Sequence, residues 1–182
     1  PVWASDGHSL IFASNRLGPQ NIFSKTLVTG EVTHLLASSD PQNPVSQSRD
    51  EHSLAFYTIH PDSGRDIGVL SSDGLVSEIV RTSFNERSPA LSPDGRWIAY
   101  VSDATGVDQI YLQPYPATGD RWTVSPKRSH EPVWSLNGTE LFFRRGDQMH
   151  VVKIDFTPKL VVETPHQLFE RRFDRDPGGN LP

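Results

Sequence analysis

Apolar positions along this chain come in short runs. The clearest is Trp97-Ile-Ala-Tyr-Val-Ser102, which mixes β-branched and aromatic residues as a half-buried strand does. Such runs are separated by Gly-, Pro- and Asp-rich punctuation, and no segment keeps a helical period over ten or more residues. The pattern recurs. Pro1-Val-Trp-Ala-Ser-Asp-Gly7, Pro44-Val-Ser-Gln-Ser-Arg-Asp50, Pro89-Ala-Leu-Ser-Pro-Asp-Gly95 and Pro132-Val-Trp-Ser-Leu-Asn-Gly138 begin 43, 45 and 43 residues apart. Units one, three and four place an aliphatic residue nine positions after the Pro (Leu10, Ile98, Leu141) and an aromatic at eleven (Phe12, Tyr100, Phe143). The second unit has lost the Trp and the Gly, and its Leu54 and Phe56 fall one residue late.

Each recurrent offset has a physical role. Asp-Gly or Asn-Gly between apolar runs predicts a two-residue hairpin turn, because Gly accepts positive φ. Gly18, Gly64, Gly106 and Gly146 mark a second turn in each unit. Residues 20–26, 66–70, 109–113 and 148–155 read as third strands, and 31–36, 76–80, 121–124 and 167–169 as fourth, outer strands. Four strands per period of about 40–45 residues predict an all-β protein, a β-propeller of about four blades of four antiparallel strands. The expected blades are 1–37, 38–82, 83–125 and 126–172, with the start of another at 173–182. A ring of six such periods needs roughly 264 residues, so the chain of 182 is expected to be an open arc of a six- or seven-bladed propeller. Its free ends are expected near Trp3 and Phe173.

Ser92-Pro-Asp-Gly95 followed by Trp97–Ser102 and Gln109-Ile-Tyr111 resembles the TolB-like, WD-repeat-like propeller unit, and the resemblance covers nearly the whole chain. Ile110-Tyr-Leu-Gln-Pro-Tyr-Pro116 and Glu131-Pro-Val-Trp-Ser135 are similar to the propellers that follow bacterial serine/threonine protein kinases. Phe173–Asn180 resembles the same group's lead-in to a further blade. The resemblance implies a sensor or protein-interaction module outside the cytoplasm, with a protein or peptide partner. The kinase's own motifs are not present. Related propellers also precede prolyl-oligopeptidase-type domains, so a propeller that gates a serine peptidase is the alternative. A propeller enzyme with a metal in its channel is a third reading.

Composition narrows the chemistry. The net charge of −5, from 17 basic and 22 acidic residues, offers no basic stripe for nucleic acid. Lys127–Arg128 and Arg171–Arg172 are short basic pairs diluted by Glu131, Glu170, Asp174 and Asp176, which reads as ordinary solvated surface. Without Cys there is neither a disulfide framework nor a thiolate metal site. No stretch approaches the roughly 18 apolar residues of a membrane span. No Gly-x-Ser-x-Gly elbow occurs, so Ser5, Ser92 and Ser135 are expected to bond the turn backbone. The seven His lack the His-x-x-x-His spacing of a helical zinc site. Asp103–Asp108 and Asp174–Gly178 place carboxylates near Gly without the remaining ligands of a calcium loop. Asp94 and Gly95 are adjacent, unlike the Asp and Gly of a sialidase-type Asp box. No catalytic residue, cofactor or metal ligand is assigned.

Trp3 and Trp134 share a repeat offset and are expected to pack between blades. In this family the first strand of a blade lines the channel. The residues just before each Pro are therefore expected to ring its mouth: Asn43, Arg87, His130 and Glu131, with Gln42 and Ser88 beside them and Asp40, Glu86 and Arg128 farther out. The blades agree on Pro and differ here, as suits a binding surface on a constant scaffold.

Overall fold

Short strands bounded by turn residues leave each sheet with two faces that must be covered, and stacking the sheets covers them. A computed structural model describes residues 1–172. The first sheet holds β1 (Val2–Trp3), β2 (Ser9–Ser14), β3 (Asn21–Thr26) and β4 (Val32–Leu36), and the second β5 (Gln42–Gln47), β6 (Ser53–His60), β7 (Gly64–Ser71) and β8 (Val76–Val80). The third holds β9 (Glu86–Leu91), β10 (Trp97–Ser102), β11 (Gln109–Pro114) and β12 (Trp122–Thr123). β13 (His130–Trp134), β14 (Glu140–Arg145) and β15 (Gln148–Asp155) open the fourth. There β15 pairs at one end with β16 (Val161–Val162) and at the other with β17 (His166–Glu170). The β16 ribbon has no counterpart in the repeat and was not expected. All pairings are antiparallel meanders, and the described residues contain no helix. This is a partial β-propeller.

Three apolar seams hold successive blades together. Ile11 and Ile22 of the first blade meet Leu54, Phe56 and Leu70 of the second. Ala55, Ile67 and Val69 meet Ile98, Tyr100 and Tyr111 of the third. Val101, Ile110 and Leu112 meet Leu141, Phe143 and Val152 of the fourth. Forward faces are thus aliphatic, whereas backward faces combine aliphatics with the recurrent aromatic. The backward aromatic at the eleventh offset is paired across its hairpin: Phe12 with Phe23, Tyr100 with Tyr111, Phe143 with His150. Phe56 instead lies against Gly68, where a Cβ would come within 2.5 Å of its ring. First strands also touch one another in succession, β1 with β5, β5 with β9 and β9 with β13, so they form the inner edge. Among the described residues, no comparable packing links the fourth blade back to the first. The expected end at Phe173 lies outside the described residues.

The turn after each first strand departs from the two-residue hairpin the sequence suggested. Ser92 N–H donates to Trp97 O at 2.8 Å and Gly95 N–H to Ser92 O at 2.9 Å, which makes a four-residue loop built on a β-turn. The Ser92 hydroxyl donates to Asp94 and accepts from Trp97 N–H, and Asp94 accepts from Arg96 N–H. Ser48 with Asp50 and Ser135 with Asn137 repeat this arrangement. Gly95 and Gly138 have φ of +69° and +74° as expected; Gly119, placed in a looser loop, also has positive φ, +94°. The second unit keeps the turn after all. Its extra residue is absorbed by a bulge between Pro44 and Ser46, and Glu51 takes the Gly position at φ 62°. Ser5 is the exception among the turn serines. It bonds forward to the next blade, its N–H to Gln47 Oε1 and its hydroxyl to Ser48 O, both at 2.9 Å.

Trp134 is half-buried rather than fully buried, with Nε1 donating to Ala90 O across the seam at 3.0 Å. Trp3, at the same offset, is 61% exposed, because no blade stands in front of it among the described residues.

Candidate binding rim

In a four-stranded meander, the connection from the fourth strand to the next blade and the turn between strands two and three lie at the same end. That end gathers the starts of β5, β9 and β13 with the turns at 15–20, 61–63, 103–108 and 146–147. All four residues expected at the mouth sit here, on first strands. Asn43 accepts from Gln20 Nε2 of the first blade at 2.8 Å. Arg87 pairs with Asp108 through a short ion pair, and His130 Nδ1 reaches the same carboxylate at 3.1 Å. Asp108 thus ties the first strands of blades three and four to one turn, and its carbonyl also accepts from Arg128 N–H at 2.6 Å. Glu131 pairs with Arg144 Nε at 2.7 Å. The four residues therefore do not converge on one point; they form successive inter-blade and cross-strand ties.

The backbone here is unusual. Ser88 (φ 51°) and Glu131 (φ 59°) are the extra residues of bulges in β9 and β13, each just before the repeat Pro, and Arg128 has φ 66°. Pro tolerates a bulge because it has no N–H to pair. Non-Gly residues held at positive φ cost about 1–3 kcal/mol each, and three of the four such residues among those described belong to this edge.

Blade two presents a different edge. His60 lies between two carboxylates, Asp40 at 3.0 Å and Asp66 at 3.6 Å, and Ser63 donates to Asp66 at 2.6 Å. Glu86, expected out on the rim, is instead fully buried. Its Oε1 accepts from the Thr82 and Ser102 hydroxyls at 2.8 and 3.0 Å. Burial pushes its carboxyl above the ordinary value; the two hydroxyls oppose that, and nearby Asp66 and Asp103 add to it. Gln42, its register equivalent in blade two and also expected at the mouth, is 5% exposed, so this strand position turns into the blade rather than to the rim.

Asp103 and Asp108, noted as loop carboxylates, are engaged by protein donors: Asp103 by Asn85 N–H and Nδ2, Asp108 by Arg87 and His130. Among the described residues no three His, Asp or Glu side chains are grouped as metal ligands would be. Asp174–Gly178 lies outside the described residues. Away from the rim, a cleft of about 320 Å³ opens between β8 and the connection at Ala117–Arg121. The buried Tyr100 hydroxyl donates to Gln113 at its base, and burial pushes that phenol up to about 12.

No protein-family model matches the chain. A 64-residue stretch is 41% identical to the Tol-Pal system protein TolB of Hydrogenovibrio crunogenus, covering 33% of this chain and 15% of that protein. The structure of putative TolB from Agrobacterium tumefaciens superposes over 91% of this chain and 63% of its own, at 22% identity and a TM-score of 0.69. TolB from Acinetobacter baumannii does so over 94% of this chain and 44% of its own, at 22% identity and a TM-score of 0.68. The chain therefore spans less than two thirds of the length of each, and its fold is that of a TolB-like β-propeller.

Proposed function

We propose that this chain is a non-catalytic, protein-binding part of a larger β-propeller that works outside the cytoplasm. The observation that carries the reading is the rim. Asn43, Arg87, His130 and Glu131 occupy equivalent first-strand starts, yet differ in chemistry and are fixed by ties between blades or strands. A scaffold that repeats its turns and seams while varying one edge presents a surface for a partner. The strained bulges at Ser88 and Glu131 favour the same edge. The extracytoplasmic setting and a signalling role rest on the resemblance to TolB-like sensor propellers. The uncovered seam at Trp3 supports membership of a ring with further blades.

Fold alone does not assign function, since propellers also carry enzymes. Co-purification from an extract of the source organism tests the reading with three proteins: wild type, Arg87→Ala/His130→Ala, and a control altered at the opposite edge, Arg96→Ala. A partner lost only with the rim variant supports the binding rim. Retention by the rim variant and loss with Arg96→Ala overturns it. A Gly-x-Ser-x-Gly domain in the full-length gene would favour the peptidase-gating alternative.

A further inference from the structure

Two basic pairs that are unremarkable in the sequence become neighbours in the fold. Lys127–Arg128 lies in the connection into the fourth blade, and Arg171 follows that blade's own outer strand in the equivalent connection. The backbone confirms the equivalence: Arg128 N–H donates to Asp108 O and Arg171 N–H to Asp147 O, the same bond one blade apart. Arg145 ends β14 at this edge, beside the turn at Gly146. Lys127, Arg128, Arg145 and Arg171 are all exposed and enter no ion pair among the described residues.

Among the described residues several nearby carboxylates are engaged by protein donors; Asp174 and Asp176, close in sequence to Arg171, lie outside the described residues. Asp108 is engaged by Arg87 and His130, Glu131 by Arg144, and Glu170 accepts from Gln148; Asp147 is the remaining carboxylate at the turn. Across the same face, blade two carries Asp40, Asp62 and Asp66 together with Arg65 and with Arg81, which is held between Glu78 and Asp66. In a chain of net charge −5, Lys127, Arg128, Arg145 and Arg171 thus gather exposed positive charge at one end of blade four. Exposed charges of one sign within about 10 Å of each other raise the local potential and favour a ligand of opposite sign.

We propose that the rim of blades three and four binds an acidic peptide segment, held by Lys127, Arg128, Arg145 and Arg171. This rests on the rim being the binding face and adds the chemistry of the partner. At the same edge, ion pairs hold Arg87 to Asp108 and Arg144 to Glu131, so part of the surface is preset.

The test uses the 182-residue chain and a labelled peptide of about twelve residues rich in Glu, with a Lys-rich peptide and single-stranded oligothymidine as comparisons. Carbodiimide coupling of peptide carboxylates to lysine maps the position, since Lys127 is at this edge whereas Lys25, Lys153 and Lys159 lie on other parts of their blades. We expect coupling at Lys127, affinity at least tenfold above the Lys-rich peptide, and a further loss of tenfold or more in Lys127→Glu/Arg145→Glu/Arg171→Glu. Raising salt from 50 to 500 mM should weaken binding similarly. Coupling mainly at the other lysines overturns the rim as the binding face. Coupling at Lys127 with affinity indifferent to peptide charge, or tighter binding of oligothymidine, leaves the rim in place and overturns the acidic-peptide assignment. Circular dichroism of the triple variant separates lost charge from lost fold.

Discussion

Trp3 and Trp134 occupy the same offset of the same repeat, and the fold treats them differently. Trp134 reaches back to Ala90 and packs against the third blade's core, near Phe156 at 6.3 Å between ring centroids. Trp3 has the same bonds to its own strand and is 61% exposed. The backward aromatics differ in the same way. Phe143 is 1% exposed beneath the third blade, whereas Phe12 is partly exposed with Arg16 at 5.3 Å; Phe23, 2% exposed, is covered from within its own blade by Arg16 at 4.9 Å and by His34 stacked at 4.5 Å. The repeat places a side chain at a seam; for Trp3 against Trp134 and Phe12 against Phe143 the neighbouring blade decides how far it is buried. A cation lying over an aromatic contributes about 0.5–1 kcal/mol at an exposed site, well short of a buried seam.

The largest expected effect breaks the comparison at the aromatics. Phe143→Ala should cost about 3–5 kcal/mol by urea unfolding, since it empties a packed seam. Phe12→Ala should cost no more than about 1–2 kcal/mol for a partly exposed ring. Equal losses would mean that the first blade's backward face is covered after all. Next comes the Trp pair. Trp134→Ala should cost about 2–3 kcal/mol, from lost packing and the hydrogen bond to Ala90, and Trp3→Ala should stay within about 0.5 kcal/mol. A shift in Trp3 fluorescence to shorter wavelength on raising protein concentration would show another chain covering that seam.

Smaller effects test the shared turn. Glu51→Gly should stabilise by about 0.5–1 kcal/mol, since it relieves positive φ in a non-Gly residue at some cost in unfolded-chain entropy. A loss of stability there would mean that Glu51 makes a contact beyond its backbone role. The smallest effect is in acid. Burial opposes ionisation of Asp94, but hydrogen bonds from Ser92 and Arg96 outweigh it and hold the carboxyl below its ordinary value. A carboxyl lowered on folding contributes stability above the unfolded value of about pH 4, and loses it as pH falls through the folded value. Asn137 does not titrate. Asn137→Asp should therefore gain stability at pH 7 relative to pH 3, by no more than about 0.5 kcal/mol for so exposed a turn. Asp94→Asn should show the opposite trend in thermal melts.

The periodic features were legible in advance for a physical reason. Positive φ at Gly95 and Gly138, strands at Val76–Val80 and Gln148–Asp155, and serines bonding the turn each depend on residues within one hairpin. Legibility failed where one blade answers another. The second unit looked degenerate, but a bulge after Pro44 restored the register and placed Gln47, in the Trp position, to accept from Ser5 of the blade before. Glu86 looked like a rim residue, yet it is fully buried and accepts from the Thr82 and Ser102 hydroxyls.

The sequence by itself determined the blade: its periodic strands, the serines that bond its turns and the positive φ of its turn glycines, though not the length of the turn. These follow from local backbone preference and from a period that matches a four-stranded propeller blade. The tertiary structure alone decided which repeated side chains are buried and which charges become neighbours. Trp3 and Trp134 cannot be told apart by offset, and Lys127 and Arg171 stand 44 residues apart until one blade stacks on the next. Burial and electrostatic potential are sums over everything within a few ångströms, and in a repeat protein most of that sum comes from the adjacent blade.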